Sequence, residues 1–365
     1  MGGGTGLSTL LRGLKHFVPA PPASRRATDT PSREADRSGG EGGSTGRHAE
    51  VRSPEQTCAI RELVAVVTVT DDGGSSGRLR EDFKMLPPGD VRNCMVALSE
   101  DEHLLARLFQ YRFEHGALEG HSFGNLFLAA LSHVTGDFAQ AVQTSSQILA
   151  TRGRIYPATT SDVTLAARME DGSVVRGETN ITASHLRIEE LMLSPAGADP
   201  LPETLAAIAN ADLITLGPGS LYTSLITNFL VRGIPEAIAE SRATRVYICN
   251  LMTQANESLG LTASQHIEKI LQHCGAAGTS RNGRNEIFDY ALVNTAPISP
   301  VLLERYAREG QRPIEPDLER MRELGVEPIT GAFAHEGDLL RHDYDEVSKV
   351  LMRLGADRLR GQATV

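Results

Sequence analysis

The sequence predicts an α/β protein: a mostly parallel, three-layer sheet with a β-hairpin inserted into it. Three observations carry this reading. Glu62-Leu63-Val64-Ala65-Val66-Val67-Thr68-Val69-Thr70 is an unbroken, largely β-branched run, as found in strands buried on both faces. After it, short apolar strands alternate with amphipathic helices, the pattern of βα units whose crossovers cover a parallel sheet. Within that alternation, Val163–Met169 and Val174–Thr179 flank Asp171-Gly172, a turn pair that closes an antiparallel hairpin. No fixed-period repeat interrupts the order.

The chain opens on Met1 and Gly2-Gly3-Gly4-Thr5-Gly6-Leu7-Ser8, and Leu7, Leu10, Leu11 and Leu14 share one face of the helix that follows. Glycines let backbone N–H groups approach a phosphate, and the helix behind them presents its positive end. The spacing is neither G-x-G-x-x-G nor a Walker loop ending in G-K-[ST], so it indicates an anion or nucleotide phosphate and nothing finer; a flexible chain end is the plain alternative. Nucleotide-binding α/β domains reach such a loop from a buried strand, and here only Met1 precedes it. The expectation is that the first strand is missing and that the true start lies upstream. From Val18 to Thr57 the sequence turns to Pro, Ser, Gly, Arg, Glu and Asp, which reads as a disordered insertion. The expected organisation is one α/β domain over 1–17 and 58–355, with 356–365 a flexible tail.

Helices are expected at Asp90–Leu98, Leu104–Tyr111, Gly124–Val134 and Phe138–Leu149, ahead of the hairpin. Beyond it, Leu213–Leu216 leads through Gly217-Pro218-Gly219-Ser220 into an apolar segment from Leu221 to Val231. Val246–Asn250 then precedes a helix at Thr262–Gln272, and Tyr290–Asn294 precedes one at Pro300–Glu309.

Composition narrows the function classes. At 365 residues, with 40% hydrophobic and 22% charged content, the chain matches a globular protein of one large or two small domains. A net charge of −10, with no basic stripe outside the insertion, argues against nucleic acid as a partner. No apolar run approaches the ~20 residues of a membrane helix and no signal peptide opens the chain, so a soluble, cytoplasmic protein acting on small molecules is expected. Cys58, Cys94, Cys249 and Cys274 are scattered without a C-x-x-C pair and read as buried thiols.

Chemistry is expected where strands end and helices begin, at the carboxyl edge of the sheet. Besides the opening loop, Asp71-Asp72-Gly73-Gly74-Ser75-Ser76-Gly77-Arg78-Leu79-Arg80 follows the Val-rich strand. Its carboxylates suit Mg²⁺ or a ribose, its Gly/Ser run supplies donors, and Arg78 and Arg80 suit phosphate; an Asx-type turn with solvated arginines is the alternative. In Pro87-Pro88-Gly89-Asp90-Val91-Arg92-Asn93, Asp90 is placed either to N-cap the next helix or to touch ligand. In Gly120-His121-Ser122-Phe123-Gly124-Asn125, His121 and Ser122 are too close in sequence to pair as base and nucleophile, and Asn125 at a helix start is the better ligand contact. Gly217–Ser224 forms a second strand, glycine loop and helix suited to an anion, and Asn250 to Gln254 offers uncharged groups that could read a base or sugar. Glu257 and His266, nearby in sequence, are candidate ligands, with surface residues the plainer reading of both.

The ordered set Gly-Gly-Gly-Thr-Gly-Leu-Ser, Asp-Asp-Gly-Gly-Ser-Ser-Gly-Arg-Leu-Arg, Pro-Pro-Gly-Asp-Val-Arg-Asn, Gly-His-Ser-Phe-Gly-Asn and Gly-Pro-Gly-Ser-Leu-Tyr-Thr-Ser resembles the CofD-like family. Within it the match is to the bacterial gluconeogenesis-factor branch, over nearly the whole chain outside 18–57. The resemblance implies a Rossmann-like fold and a cytoplasmic regulator that binds UDP-sugars such as UDP-N-acetylglucosamine or UDP-glucose. It also implies a link from carbon supply to peptidoglycan precursors and cell shape, with cell-wall enzymes or kinases as candidate partners. The 2-phospho-L-lactate transferases of the other branch share the first glycine loop and the Asp-Asp, with Mg²⁺ beside the carboxylates. Pro-Pro-Gly-Asp-Val-Arg-Asn stands here where those transferases carry an Asp-rich segment, which favours the regulator over the phosphotransferase. Gln254-Ala255-Asn256-Glu257-Ser258 departs from the Pro-Gly-Glu-Thr usual after Thr-Gln.

On that resemblance, Gly3, Gly4, Thr5 and Gly6 with Gly219 and Ser220 cradle a diphosphate, and Asp71 or Asp72 holds ribose or Mg²⁺. Asn125, Asn250 and Thr253 read uridine or sugar, with Ser75, Ser76, Arg78, Arg92, Asn93 and His121 as further ligand contacts. Tyr306 is placed to stack on a ring and Arg341 to pair with phosphate, against the plainer readings of a core tyrosine and an exposed loop. A homodimer is expected only from the general frequency of two-fold symmetry.

Overall fold

The computed structural model describes residues 1–19, 59–100, 104–278 and 285–362. The expected insertion, apart from Val18 and Pro19, and Cys58 lie outside the described residues. Behind the opening glycines, α1 (Gly4–Leu14) buries Leu7, Leu10, Leu11 and Leu14, the stripe its 3.6-residue period predicts. Then come β1 (Val64–Val67), α2 (Gly74–Phe83), α3 (Gly89–Leu98), α4 (Leu105–Gln110), α5 (Phe123–Thr135) and α6 (Phe138–Ile148). Caps set several starts: Ser122 accepts from Asn125 N–H ahead of α5, and Asp137 from Gln140 N–H ahead of α6.

The middle of the chain holds β2 (Arg154–Pro157), β3 (Thr164–Met169), β4 (Val174–Arg176), α7 (Glu178–Ala183), β5 (Ile188–Ser194) and α8 (Pro202–Asn210). It is followed by β6 (Leu213–Leu216), a π-helical turn Leu221–Ile226, α9 (Thr227–Phe229), α10 (Ile234–Glu240) and β7 (Thr244–Ile248). The C-terminal part is α11 (Ala263–His273), β8 (Tyr290–Asn294), α12 (Pro300–Ala307), α13 (Leu318–Glu323), β9 (Glu327–Gly331), β10 (Ala334–Glu336), β11 (Leu340–His342) and α14 (Tyr344–Gln362). A capping box between Thr262 and Gln265 fixes the start of α11.

The architecture is α/β with both parallel and antiparallel sheets. The parallel strands form two hydrogen-bonded groups, β1-β2 and β6-β7-β8-β9, rather than the one sheet expected. Met1 and Gly2 lie between them: Gly2 donates to Val66 O and accepts from Thr68 N–H, while Met1 O accepts from Gly217 N–H. The expected hairpin of β3 and β4 exists, and β5 pairs on the other side of β3 to give an antiparallel sheet in the order β4-β3-β5. A second antiparallel pair joins β10 to β11.

Alternate residues of the parallel strands feed two cores. Ala65, Val67, Val246, Ile248 and Leu292 pack with α1, α3, α5 and α14, whereas Val66, Tyr247, Ala291 and Val293 pack with α10, α11 and the antiparallel sheet. Burial on both faces explains the absence of polar alternation in these strands. Among the described residues no helix is long and apolar enough to cross a membrane. Cys94, Cys249 and Cys274 are free and buried, as expected.

Two local expectations need correction. Most of Asp71–Arg80 is helical, because α2 begins at Gly74. Asp90 does not cap its own helix: Pro88 holds that position and the Asp90 carboxylate points elsewhere.

Candidate functional site

The two glycine loops meet. A Cβ built on Gly6 would stand 2.3 Å from Pro218 O, and one on Gly219 would stand 3.5 Å from Gly3 O. Backbone therefore passes against backbone, and at Gly6 so closely that only glycine permits it. Beside this contact opens a cavity of about 460 Å³ lined by Gly3, Gly4, Thr5, Gly6, Gly219 and Ser220 together with Asn250, Thr253, Gln254, Tyr306 and His342. Its size is that of a small-molecule pocket.

The end of β7 supplies its polar wall. Asn250 Nδ2 donates to Gly219 O at 2.9 Å, Gln254 Nε2 donates to Ser220 Oγ at 3.1 Å, and Asn250 Oδ1 is buried without a partner. An unmatched buried acceptor beside a cavity is costly unless a ligand or water meets it. Thr253 lines the cavity, but its hydroxyl already accepts from Arg312 N–H at 3.0 Å, so it shapes the wall. Tyr306 faces the cavity and its hydroxyl accepts from Leu340 N–H at 3.1 Å. Arg341 is exposed and is not among the lining residues, which instead include its neighbours Leu340 and His342. His342 donates from Nε2 to Cys249 O at 3.0 Å, and burial brings its pKa down to about 4, so it is neutral.

Both helix starts behind the glycine loops are partly filled by the protein's own carboxylates. Asp90 accepts from Gly4 N–H at the start of α1, and Thr68 Oγ1 lies 3.3 Å from its Oδ2. Glu257 accepts from Tyr222 N–H at 3.2 Å and Thr223 Oγ1 at 3.1 Å, at the start of the π-helical turn. Burial, against those hydrogen bonds, raises Asp90 to about 6 and also raises Glu257. Of the two sequence readings of Glu257, the surface one does not hold: Asn256, at φ 62, turns the chain so that Glu257 reaches inward. His266, also read as exposed, is fully buried and bonded to Thr262 O through Nδ1.

The adjacent aspartates part ways. Asp71 Oδ1 closes an Asx turn on Gly73 N–H at 2.9 Å, whereas Asp72 Oδ1 accepts from Thr179 N–H and Oγ1 on α7. Asp71 and Asp90 act on each other, and Glu178 of α7 joins them: burial first, then the charges of Asp71, Asp90, Glu257 and Asp72, raise its carboxyl to about 9. Among the described residues no group of three or more His, Cys, Asp or Glu side chains is arranged to hold a metal ion. Nothing in the local sequence signalled Glu178, since α7 reaches the site only through the inserted antiparallel sheet.

The remaining predicted residues gather in a separate group. Ser75 Oγ lies 3.0 Å from His121 Nδ1 and accepts from Asn125 Nδ2 at 3.1 Å, while Ser76 packs against Gly89 beside Asp71. Arg92 bonds Ser122 Oγ at 2.6 Å and Asn93 Oδ1 at 2.7 Å, and Arg78 bonds Glu119 O at 2.8 Å. Arg80 does not face this region: it pairs with Asp162 at 2.6 Å and so ties α2 to the start of β3. The structure thus divides one predicted constellation into a cavity group and a group around α2, α3 and α5, with Asp71 and Asp90 between them.

Comparison with known proteins identifies the chain's family. The model of the family described as 2-phospho-L-lactate transferase CofD matches residues 1–334. The chain is 43% identical over 353 residues to a gluconeogenesis factor of Halalkalibacterium halodurans, covering 96% of this chain and 94% of that one. It is 41% identical over 355 residues to the gluconeogenesis factor of Bacillus subtilis, covering 97% and 96% of the two chains. A crystal structure of a UPF0052-family protein from Bacillus halodurans superposes with a TM-score of 0.80 at 43% identity, covering 96% of this chain and 97% of that one. With a matching family model over most of its length, relatives of this identity end to end, and the two glycine loops brought into contact, the chain belongs to the CofD/UPF0052 family of gluconeogenesis factors.

Proposed function

We propose that the protein is a nucleotide-sugar-binding regulator whose ligand, a UDP-sugar such as UDP-N-acetylglucosamine or UDP-glucose, occupies the cavity between the glycine loops. The observation that carries this reading is the junction of Gly3–Gly6 with Gly219-Ser220 over a cavity of about 460 Å³ whose far wall is uncharged. Backbone N–H groups at the loops suit a diphosphate, and the unpartnered Asn250 Oδ1 suits the N–H of a uracil or an acetamido group. Tyr306, which lines the cavity, supplies an aromatic ring for stacking. In this reading the protein acts within the cytoplasm and links carbon supply to cell-wall precursors; of this, the names of its relatives support only the tie to gluconeogenesis.

A phosphotransferase is the second reading, favoured by the approach of Asp71, Asp90 and Glu178 to the same loops. Asp71 and Asp90 are the carboxylates that could share a Mg²⁺ there, since Asp72 is engaged by Thr179. Calorimetric titration with UDP-N-acetylglucosamine, UDP-glucose and GTP, with and without Mg²⁺, followed by analysis of the recovered ligand, separates the two. Binding of intact UDP-sugar supports the regulator; GTP binding that requires Mg²⁺, or a chemically altered ligand, supports the transferase.

Two variants probe the cavity itself. Asn250→Leu removes an acceptor and is expected to weaken UDP-sugar binding by about tenfold or more. Tyr306→Ala is expected to act similarly through lost stacking, about 0.5–1.5 kcal/mol beyond area. Equal affinity of both variants and wild type in calorimetry would place the ligand elsewhere.

A further inference from the structure

We propose that Arg78, Arg92 and Arg112, gathered on the turn from Glu119 to Ser122, form a second anion site that takes the phosphoryl group of a small metabolite, separate from the cavity between the glycine loops. The three guanidinium groups grip successive points of one turn. Arg78 Nη2 donates to Glu119 O at 2.8 Å, Arg112 Nη1 donates to Gly120 O, and Arg92 Nη1 donates to Ser122 Oγ at 2.6 Å. The turn is shaped to admit them. A Cβ on Gly120 would stand 2.8 Å from Arg78 Nη2, and one on Gly124 would stand 2.9 Å from the Arg92 stem.

None of these arginines forms an ion pair with a carboxylate among the described residues, although the chain carries a net charge of −10. Other arginines do find acids: Arg80 pairs with Asp162, Arg152 with Glu100, Arg168 with Glu190 and Arg245 with Asp289. Arg92 feels the like charge of Arg112 as well as Asp90 and Asp71 at longer range. Gathering three like charges costs free energy that a bound anion would return.

The groups beneath the arginines are aligned for the same purpose. Asn125 Nδ2 donates to Ser75 Oγ at 3.1 Å, and the same hydroxyl lies 3.0 Å from His121 Nδ1, which links the serine, the amide and the imidazole in one buried chain. Burial first, then the charges of Arg78 and Arg112, lower the His121 pKa against the pull of Asp82. Arg92 Nε, a donor, is buried without a partner. Ser122 caps α5, a helix long enough for its positive end to add to the field. Several guanidinium donors on one small area suit the three or four oxygens of a tetrahedral dianion, whereas a carboxylate is satisfied by the fork of one arginine.

This site stands whether or not the cavity holds a nucleotide. The test is calorimetric titration of the full chain with inorganic phosphate and with acetate, in chloride buffer at constant ionic strength. Wild type is expected to bind phosphate more tightly than acetate. Arg112→Gln and Arg78→Gln, both at exposed positions, are expected to weaken phosphate binding by about tenfold each. UDP-N-acetylglucosamine is titrated into wild type and Arg112→Gln in parallel, and the two affinities are expected to agree. Phosphate affinity unchanged in both variants, or wild type that does not distinguish phosphate from acetate, would overturn the proposal. A parallel fall in UDP-sugar and phosphate affinity on Arg112→Gln would also overturn it, because the arginines would then serve the cavity. Absence of UDP-sugar binding to wild type alongside arginine-dependent phosphate binding would refute the nucleotide reading and leave this site intact.

Discussion

Gly6→Ala is expected to destabilise the protein by about 2–3 kcal/mol and to weaken nucleotide-sugar binding by at least tenfold. Gly6 lies inside α1, where alanine would ordinarily be favoured by up to ~1 kcal/mol. The opposing effect is steric: the new Cβ would meet Pro218 O at 2.3 Å and Pro218 C at 2.7 Å. Those are backbone atoms of the facing loop, so no side-chain rotation relieves the clash and the loops must separate. Gly355→Ala supplies the control, because Gly355 lies in α14 with nothing within 4 Å of its Cβ position. It is expected to gain about 0.5–1 kcal/mol. Denaturant unfolding of both variants, with titration of Gly6→Ala, measures the pair; a neutral Gly6→Ala would show that the loops do not depend on their contact.

Glu178→Gln is expected to stabilise the protein at about pH 8 by ~2 kcal/mol or more, and to have little effect near pH 4. The Glu178 carboxyl holds its proton up to about pH 9 in the fold, against 4.5 ordinarily. Between those values the folded chain retains a proton that the unfolded chain has released, so stability falls as pH rises through the window. The amide removes that ionisation and flattens the profile. Asp90, raised from 3.8 to about 6, leaves a smaller decline confined to lower pH, which Asp90→Asn should then remove. Unfolding free energies across this pH range measure both effects; a wild-type stability that rises between pH 5 and 8, with no change in slope on Glu178→Gln, would contradict the acidic crowding around Asp71.

The sequence makes some elements legible and hides others for physical reasons. α1, α3, α5, α6 and α11 follow from apolar periodicity, and Ser122, Asp137 and Thr262 mark three of their starts. β2 is only four residues ending in proline, and β5 (Ile-Glu-Glu-Leu-Met-Leu-Ser) has a composition equally suited to a helix, so neither stands out. The glycine loops at Gly3–Gly6 and Gly219-Ser220 are legible because close backbone approach demands glycine. Their mutual contact is not, since which strand ends meet is a property of topology. Local pattern likewise places Asp71 beside Asp72, while the fold separates them and brings Asp71 to Asp90, on α3. Glu178 and Glu257 reach the site on an inserted sheet and on a turn at Asn256, routes that no local motif announces.

The most direct measurement of the central claim is hydrogen–deuterium exchange of the full chain with and without saturating UDP-N-acetylglucosamine. A diphosphate held between the loops should slow exchange at Gly3–Leu7 and Gly219–Tyr222 together, with weaker protection from Asn250 to Gln254 and none at the Glu119–Asn125 turn. Protection confined to that turn, or to neither glycine loop, would contradict the assignment of the cavity as the nucleotide-sugar site.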